Sequence, residues 1–250
     1  MGNTYVFVNQ KGGVGKTTSA INIGAFLAEA GKKVLLIDFD SQANLSSGIG
    51  LSGIKPGVYE LISGMSGINE VIKETAVSGL SAIPASIDLS GAAVELIEQQ
   101  DRDFFLSKAI APVKPSYDFI LIDCPPSLGI LTINGLVAAD KVLIPMQCEY
   151  FAMEGLSLLL QTIKRIQKLN PILDVGGIFF TMYDARTRLT QEVVRQVSAH
   201  FKKQMFNTII PRNIRLSESP SHGVPISQYD PQCMGAKAYK TLAEELIQRD

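Results

Sequence analysis

Cysteine is scarce in this chain. Cys124, Cys148 and Cys233 are the three in 250 residues, an odd number with no C-x-x-C pair. That excludes a disulfide framework and suits free thiols in a reducing compartment. Long apolar runs are missing too, and nothing approaches the ~20 residues that cross a bilayer. The opening MGNTYVFVNQ has neither a basic region nor a long apolar stretch, so it is expected to be a first strand and not a leader. It also lacks the Ser or Thr of a myristoylation site. There is no surplus of positive charge: 23 Lys and Arg against 24 Asp and Glu leave a net charge of −1. Any contact with nucleic acid therefore needs a local patch. Internal repeats and low-complexity tracts are absent as well.

What is present is ordinary globular material, with 46% hydrophobic and 19% charged residues. A chain of this length buries roughly 70–75% of its unfolded surface without a metal or disulfide staple. A single domain over residues 1–250 is expected. Apolar, β-branched runs recur at 4–9, 33–38, 117–123, 141–146, 175–182 and 207–211. Helical spacing is read at 17–31, and helices are expected near 88–111, 130–138, 152–169, 190–202 and 235–248. Short runs apolar on both faces, alternating with helices, predict an α/β fold: a mostly parallel twisted sheet with helices on both faces. Residues 47–57, SGIGLSGIKPG, read as a mobile surface loop. The segment 40–90 resists assignment.

The run NQKGGVGKTTS, residues 9–19, lies between the first strand and the first helix. Glycines there let backbone N–H groups converge on an anion at a helix N-terminus. The usual phosphate-loop pattern, G-x-x-x-x-G-K-[ST], would put its first glycine at position 10, which is Gln10. In its place stands KGGVGKTT, with a second lysine at Lys11. Charge and reach give Lys16 the β- and γ-phosphates and Thr17 a Mg²⁺ ion. Thr18 and the amides of Gly13 and Gly15 are placed to cradle the remaining phosphates, with Gly12 and Val14 completing the loop.

KGGVGKTT (11–18), LLIDFDSQANLSSGIG (35–50) and ILIDCPPSLG (120–129) together resemble the deviant Walker A ATPases. Three further blocks, IPMQCEYFAMEGL (144–156), TMYDARTRL (181–189) and IIPRNIRLSESPSHG (209–223), narrow the resemblance to the short ParA/Soj partition ATPases over nearly the whole chain. The resemblance implies a P-loop NTPase that binds ATP and Mg²⁺ and forms a homodimer when ATP-bound. Lys11 would be the signature lysine that reaches the nucleotide of the partner subunit. Asp123 looks like the Walker B aspartate that holds Mg²⁺. Asp38, first of the D-x-D block, would share that metal shell, and Asp40 would orient the attacking water. DSQANLSSG (40–48) and DCPPSLG (123–129) correspond to segments that sense the γ-phosphate. Ser41 stands where the family often has Pro. Cys124, beside Asp123, is expected to be a buried small residue.

The family's adenine loop follows its last strand, which makes Pro211 and Asn213 candidates, with Met182 nearby. Residues 186–215 hold seven basic side chains and one acid, Glu192, a local charge of +6. The family binds double-stranded DNA without sequence preference. Arg186 and Arg215 match family positions, and Lys202, Lys203 and Lys237 are further candidates. No helix-turn-helix segment is expected before residue 1. The implied function is a partition ATPase with slow hydrolysis, reset to monomer by a ParB-type centromere-binding protein, in the cytoplasm on the nucleoid, without a membrane. One alternative is a MinD-like membrane switch, which should end in a basic amphipathic helix, whereas AYKTLAEELIQRD carries two glutamates and a final Asp. The other is a metabolic or iron–sulfur member of the fold, for which Cys124 and Cys148 are poorly placed.

Overall fold

The computed structural model describes residues 2–149 and 151–250. β1 (Asn3–Phe7) leads through the glycine loop into α1 (Lys16–Glu29) and β2 (Val34–Asp38). Next come α2 (Asn44–Gly48), α3 (Val58–Ile62), α4 (Ile68–Val71), β3 (Lys73–Glu74) and β4 (Leu80–Ile83). α5 (Leu89–Glu95) and α6 (Phe105–Ile110) precede β5 (Phe119–Asp123), α7 (Ile130–Ala138), β6 (Lys141–Gln147), α8 (Ala152–Ile166) and β7 (Asp174–Thr181). α9 (Arg188–His200), α10 (Arg215–Glu218), α11 (Ile226–Tyr229) and α12 (Met234–Arg249) follow.

The seven strands form one sheet in the order β3-β4-β2-β5-β1-β6-β7. Every pairing is parallel except the short β3–β4 edge. The central strands are buried on both sides, so their sequences run apolar instead of alternating. Val6, Leu35, Ile37, Ile120 and Ile122 pack on one face with Leu106, Leu136 and Leu159 from α6, α7 and α8. Tyr5, Phe7, Leu36 and Leu121 pack on the other face with Ile23 and Leu27 of α1 and with Tyr239 and Leu246 of α12. Ligands in such sheets bind beyond the carboxyl ends of the strands, and β1, β2 and β5 all end at the glycine loop's edge.

Three expectations need correction. Residues 207–211 do not form a strand: the Ile210 N–H donates to the Phe180 carbonyl of β7 at 2.9 Å, and an isolated bridge joins Pro211 to Tyr183 just past β7. The amides of Asn207 and Thr208 are taken instead by the Glu245 carboxylate of α12, at 2.8 and 3.0 Å, which interrupts any ladder. The single helix expected over 88–111 is broken: a 3-10 turn at Leu96–Glu98 and an irregular stretch separate α5 from α6. The polar run QQDRD there has no apolar repeat to hold a helix, and Asp101 takes a left-handed φ of 62°. Residues 47–57 are not simply a surface loop, because Gly48 and Ile49 are buried and the segment begins inside α2.

Candidate functional site

β1 delivers the chain to a loop in which Gly13 and Gly15 adopt φ of 71° and 87°. These are left-handed conformations that a side chain disfavours. Gly15 is the N-cap of α1, so the amides at the start of α1 face the loop. Neighbouring strands brace this loop. Thr181 Oγ1 at the end of β7 donates to the Val14 carbonyl at 2.7 Å, and Gln147 Nε2 at the end of β6 donates to the Gly13 carbonyl at 2.8 Å. Asn9 Nδ2 donates to the Pro145 carbonyl at 2.8 Å.

Lys16 is 7% exposed, and its ammonium donates to the carbonyls of Asn9 and Lys11 at 3.3 and 3.4 Å. Burial lowers its pKa, while Asp123 and Asp40 pull it back up. Thr17 Oγ1 donates to Asp123 Oδ2 at 2.6 Å. The other oxygen, Asp123 Oδ1, is buried and accepts no hydrogen bond from the described residues. Burial, reinforced by the charge of Asp38, pushes the Asp123 carboxyl up to about 8 against the pull of Thr17 and Lys16. An orphaned carboxylate oxygen beside a threonine hydroxyl fits a hard divalent cation with oxygen ligands. Among the described residues, no group of three or more His, Cys, Asp or Glu gathers to form a protein-only metal cage.

Asp38 behaves differently. It is fully buried, and burial raises its carboxyl to about 6 despite bonds from Ser46 and Asp40. Its Oδ2 accepts both the N–H and the hydroxyl of Ser46, at 2.8 and 2.7 Å. Its Oδ1 accepts the N–H of Asp40 at 3.3 Å. Both oxygens thus hold the backbone of the D-x-D turn and α2. Asp40 is half-buried at the head of that turn, and its Oδ1 accepts the Gln42 N–H at 3.1 Å. Cys124 is buried, and burial with Asp123 beside it pushes its thiol well up, which leaves it inert.

Two adjoining cavities flank the loop and share Gly15, Thr18, Met182 and Pro220. The first, about 490 Å³, is bordered by Gly13, Lys16 and Thr17, and by Asn44 and Ser47 of α2. The second, about 300 Å³, is lined by Pro211 and Asn213, together with Leu216 and Ser217 of α10. Met182, at a left-handed φ of 51°, is held by Gln147 Nε2 at 2.9 Å from its sulfur. Asn213 is placed as expected, but its Oδ1 already accepts the Arg215 N–H at 2.9 Å. That leaves its NH₂ for a ligand. Asn44, Ser47, Ser217 and Pro220 were missed: they lie in recognised blocks, but nothing in their spacing marks them as lining.

Lys11 does not turn into these cavities. It is ion-paired with Glu149 and borders a third cavity, about 270 Å³, with Phe151, Leu156 and Leu159. The basic residues do not form one patch. Arg186 is bound bidentately by Asp184, at 2.8 and 2.6 Å, which holds that carboxyl well below the usual range. Arg215 pairs with Glu218 at 2.9 Å and Asp230 at 3.5 Å. All three acids lie outside the window 186–215, so the +6 overstates the local charge. Lys202 is exposed, and Lys203 beside it in the chain borders a pocket with Lys141 and Asp174, the first residues of β6 and β7. That is the sheet edge opposite the glycine loop. Lys237 is exposed on α12.

A family profile described as an AAA domain matches residues 2–175. The chain is 66% identical over 252 residues to the chromosome-partitioning ATPase Soj of Treponema pallidum, covering 100% of this chain and 99% of that one. It is 49% identical to the chromosome partitioning protein ParA of Myxococcus xanthus, covering 100% and 89%. Among solved structures, cobyrinic acid a,c-diamide synthase of Mycobacterium smegmatis, with bound ATP analogue and magnesium, superposes with a TM-score of 0.87. It is 35% identical, with 99% of this chain and 95% of that one covered. The fold thus hosts more than one chemistry, and the end-to-end sequence match decides between them: this chain belongs to the Soj/ParA family of chromosome-partitioning ATPases.

Proposed function

We propose that residues 1–250 act as one ATPase unit that switches between a free monomer and a DNA-bound homodimer. The observation that carries this is the buried, unpartnered Asp123 Oδ1 beside the Thr17 hydroxyl, next to a glycine loop with a buried Lys16. Lys16 binds the β- and γ-phosphates of ATP, with Gly12, Gly13, Val14, Gly15 and Thr18 around them. Thr17 and Asp123 hold Mg²⁺, which when bound neutralises charge on the phosphates. Met182, Pro211 and Asn213 flank the base. Asp40 orients the attacking water, and Asp38 holds the turn that carries it. Lys11 exchanges Glu149 for the nucleotide of the second subunit, where its charge offsets two facing triphosphates.

The ATP dimer binds double-stranded DNA without sequence preference, since two-fold symmetry doubles the neutralised phosphates. Hydrolysis is slow until a ParB-type protein stimulates it, which returns the chain to the monomer. The working place is the nucleoid surface in the cytoplasm. A membrane switch is disfavoured because the apolar stripe of α12, Tyr239, Leu242 and Leu246, is buried in the core.

The test is ATP turnover measured alone, with DNA, with a ParB-type protein, and with both. Turnover is expected to be slow alone and highest with both. Asp40→Ala should bind ATP and persist as a dimer on DNA by light scattering and co-sedimentation. An Asp40→Ala chain that stays monomeric in magnesium-ATP refutes the switch.

A further inference from the structure

We infer that Ser46 is a positioning residue for hydrolysis: its hydroxyl pins the turn carrying Asp40 between the end of β2 and the exit of β4. The inference rests on the proposed nucleotide site and adds to it a residue outside the phosphate loop and the D-x-D pair.

Ser46 is fully buried in the five-residue helix α2. A hydroxyl can donate one hydrogen bond and accept others, and this one does both. It donates to Asp38 Oδ2 at 2.7 Å and accepts the N–H of Ala85 at 2.9 Å. The Ser46 N–H adds a second bond to the same carboxylate oxygen, at 2.8 Å. Asp38 closes β2, and Ala85 lies just beyond β4, which pairs with β2 in parallel register. One side chain therefore ties α2 to two neighbouring strands.

Asp38 and Ser46 bracket the turn that contains Asp40. Inside the bracket the Ala43 N–H donates to the Asp40 carbonyl at 2.9 Å, and just past it the Ser47 N–H donates back to the Ala43 carbonyl at 3.0 Å. Ala43 itself sits at φ 52°, a left-handed conformation uncommon for a residue with a side chain. The turn is thus held in place by its ends, against its own local preference. Asn44 and Ser47, on the same short helix, border the phosphate cavity. The loop at 9–18 is braced separately, by Thr181, Gln147 and Pro145. Releasing the pin should free Asp40 and the α2 wall while leaving phosphate binding in place.

Wild type, Ser46→Ala, Ser46→Thr and Ile83→Val are compared. The last shortens a buried β4 side chain and serves as a destabilised control. In nucleotide-free protein, hydrogen exchange of amides 40–47 should quicken about tenfold or more in Ser46→Ala, with amides 11–18 unchanged and Ser46→Thr like wild type. Single-turnover hydrolysis of magnesium-ATP should fall roughly ten- to a hundredfold in Ser46→Ala. ATP affinity should stay within about twofold, since the groups that bind ground state and transition state alike are intact. Ser46→Thr should restore the rate, and Ile83→Val should keep it. Unchanged exchange over 40–47, failure of the threonine to rescue, or an equal loss of rate in Ile83→Val would overturn the inference. A wild-type chain that hydrolyses no ATP would refute the proposed function and the claim about hydrolysis, while the exchange comparison judges the pin by itself.

Discussion

Asp123 carries the electrostatics of the site. Its folded carboxyl is raised to about 8, so most of it is protonated at neutral pH in the ligand-free chain, whereas a cation needs the ionised form. Binding of Mg²⁺ with ATP should therefore release protons near pH 7 and tighten as pH rises from 6 to 8. Calorimetry in buffers of different ionisation enthalpy measures the release, and Asp123→Asn should abolish it. At this scale the sequence spoke clearly where chemistry depends on adjacency. Lys16 and Thr17 stand next to the glycines, and Asp123 ends an apolar strand. Asp38 ends a similar strand, yet its work was hidden, because its partner Ser46 lies eight positions away on a helix too short to show a period.

Elements were legible in proportion to their burial. β1, β2, β5, β6 and β7 are long enough, and buried enough on both faces, to read as apolar runs. β3 and β4, of two and four residues, leave too little pattern to find. The run at 207–211 has the right composition, but Glu245, 37 positions away from Thr208, claims its amides. Burial pushes the Glu245 carboxyl up, yet the Asn207 and Thr208 N–H groups, the Thr208 hydroxyl and Arg249 together bring it below its usual value. A depressed carboxyl adds stability above its unfolded pKa and loses it as pH falls through the folded value. Glu245→Gln should therefore cost about 1.5–3 kcal/mol at pH 7, the range for hydrogen bonds to charged groups. The cost should shrink toward pH 4, as chemical denaturation of both forms would show. An equal cost at both pH values would contradict this role.

On the scale of the whole molecule, charge is the property a linear count handles worst. The +6 over 186–215 falls by three once folding brings Asp184, Glu218 and Asp230 to Arg186 and Arg215. It also divides between opposite edges of the sheet. Arg186→Glu with Arg215→Glu should abolish DNA retention of the ATP-bound form at low salt and keep ATP-driven dimerisation, while Lys202→Glu with Lys203→Glu should have the smaller effect. Anisotropy titrations across salt would separate the pairs, with the slope falling by about 0.9 for each phosphate left without its cation. The reverse order would move the DNA surface to the far edge. One further consequence belongs to the sheet. Asp38 and Asp123 stand side by side in parallel register on β2 and β5, two acids sealed from water at the same rim. In the vacant rim a proton on Asp123 keeps the two from standing charged together. A cation that enters takes that proton's place, so loading the fold exchanges one positive charge for another.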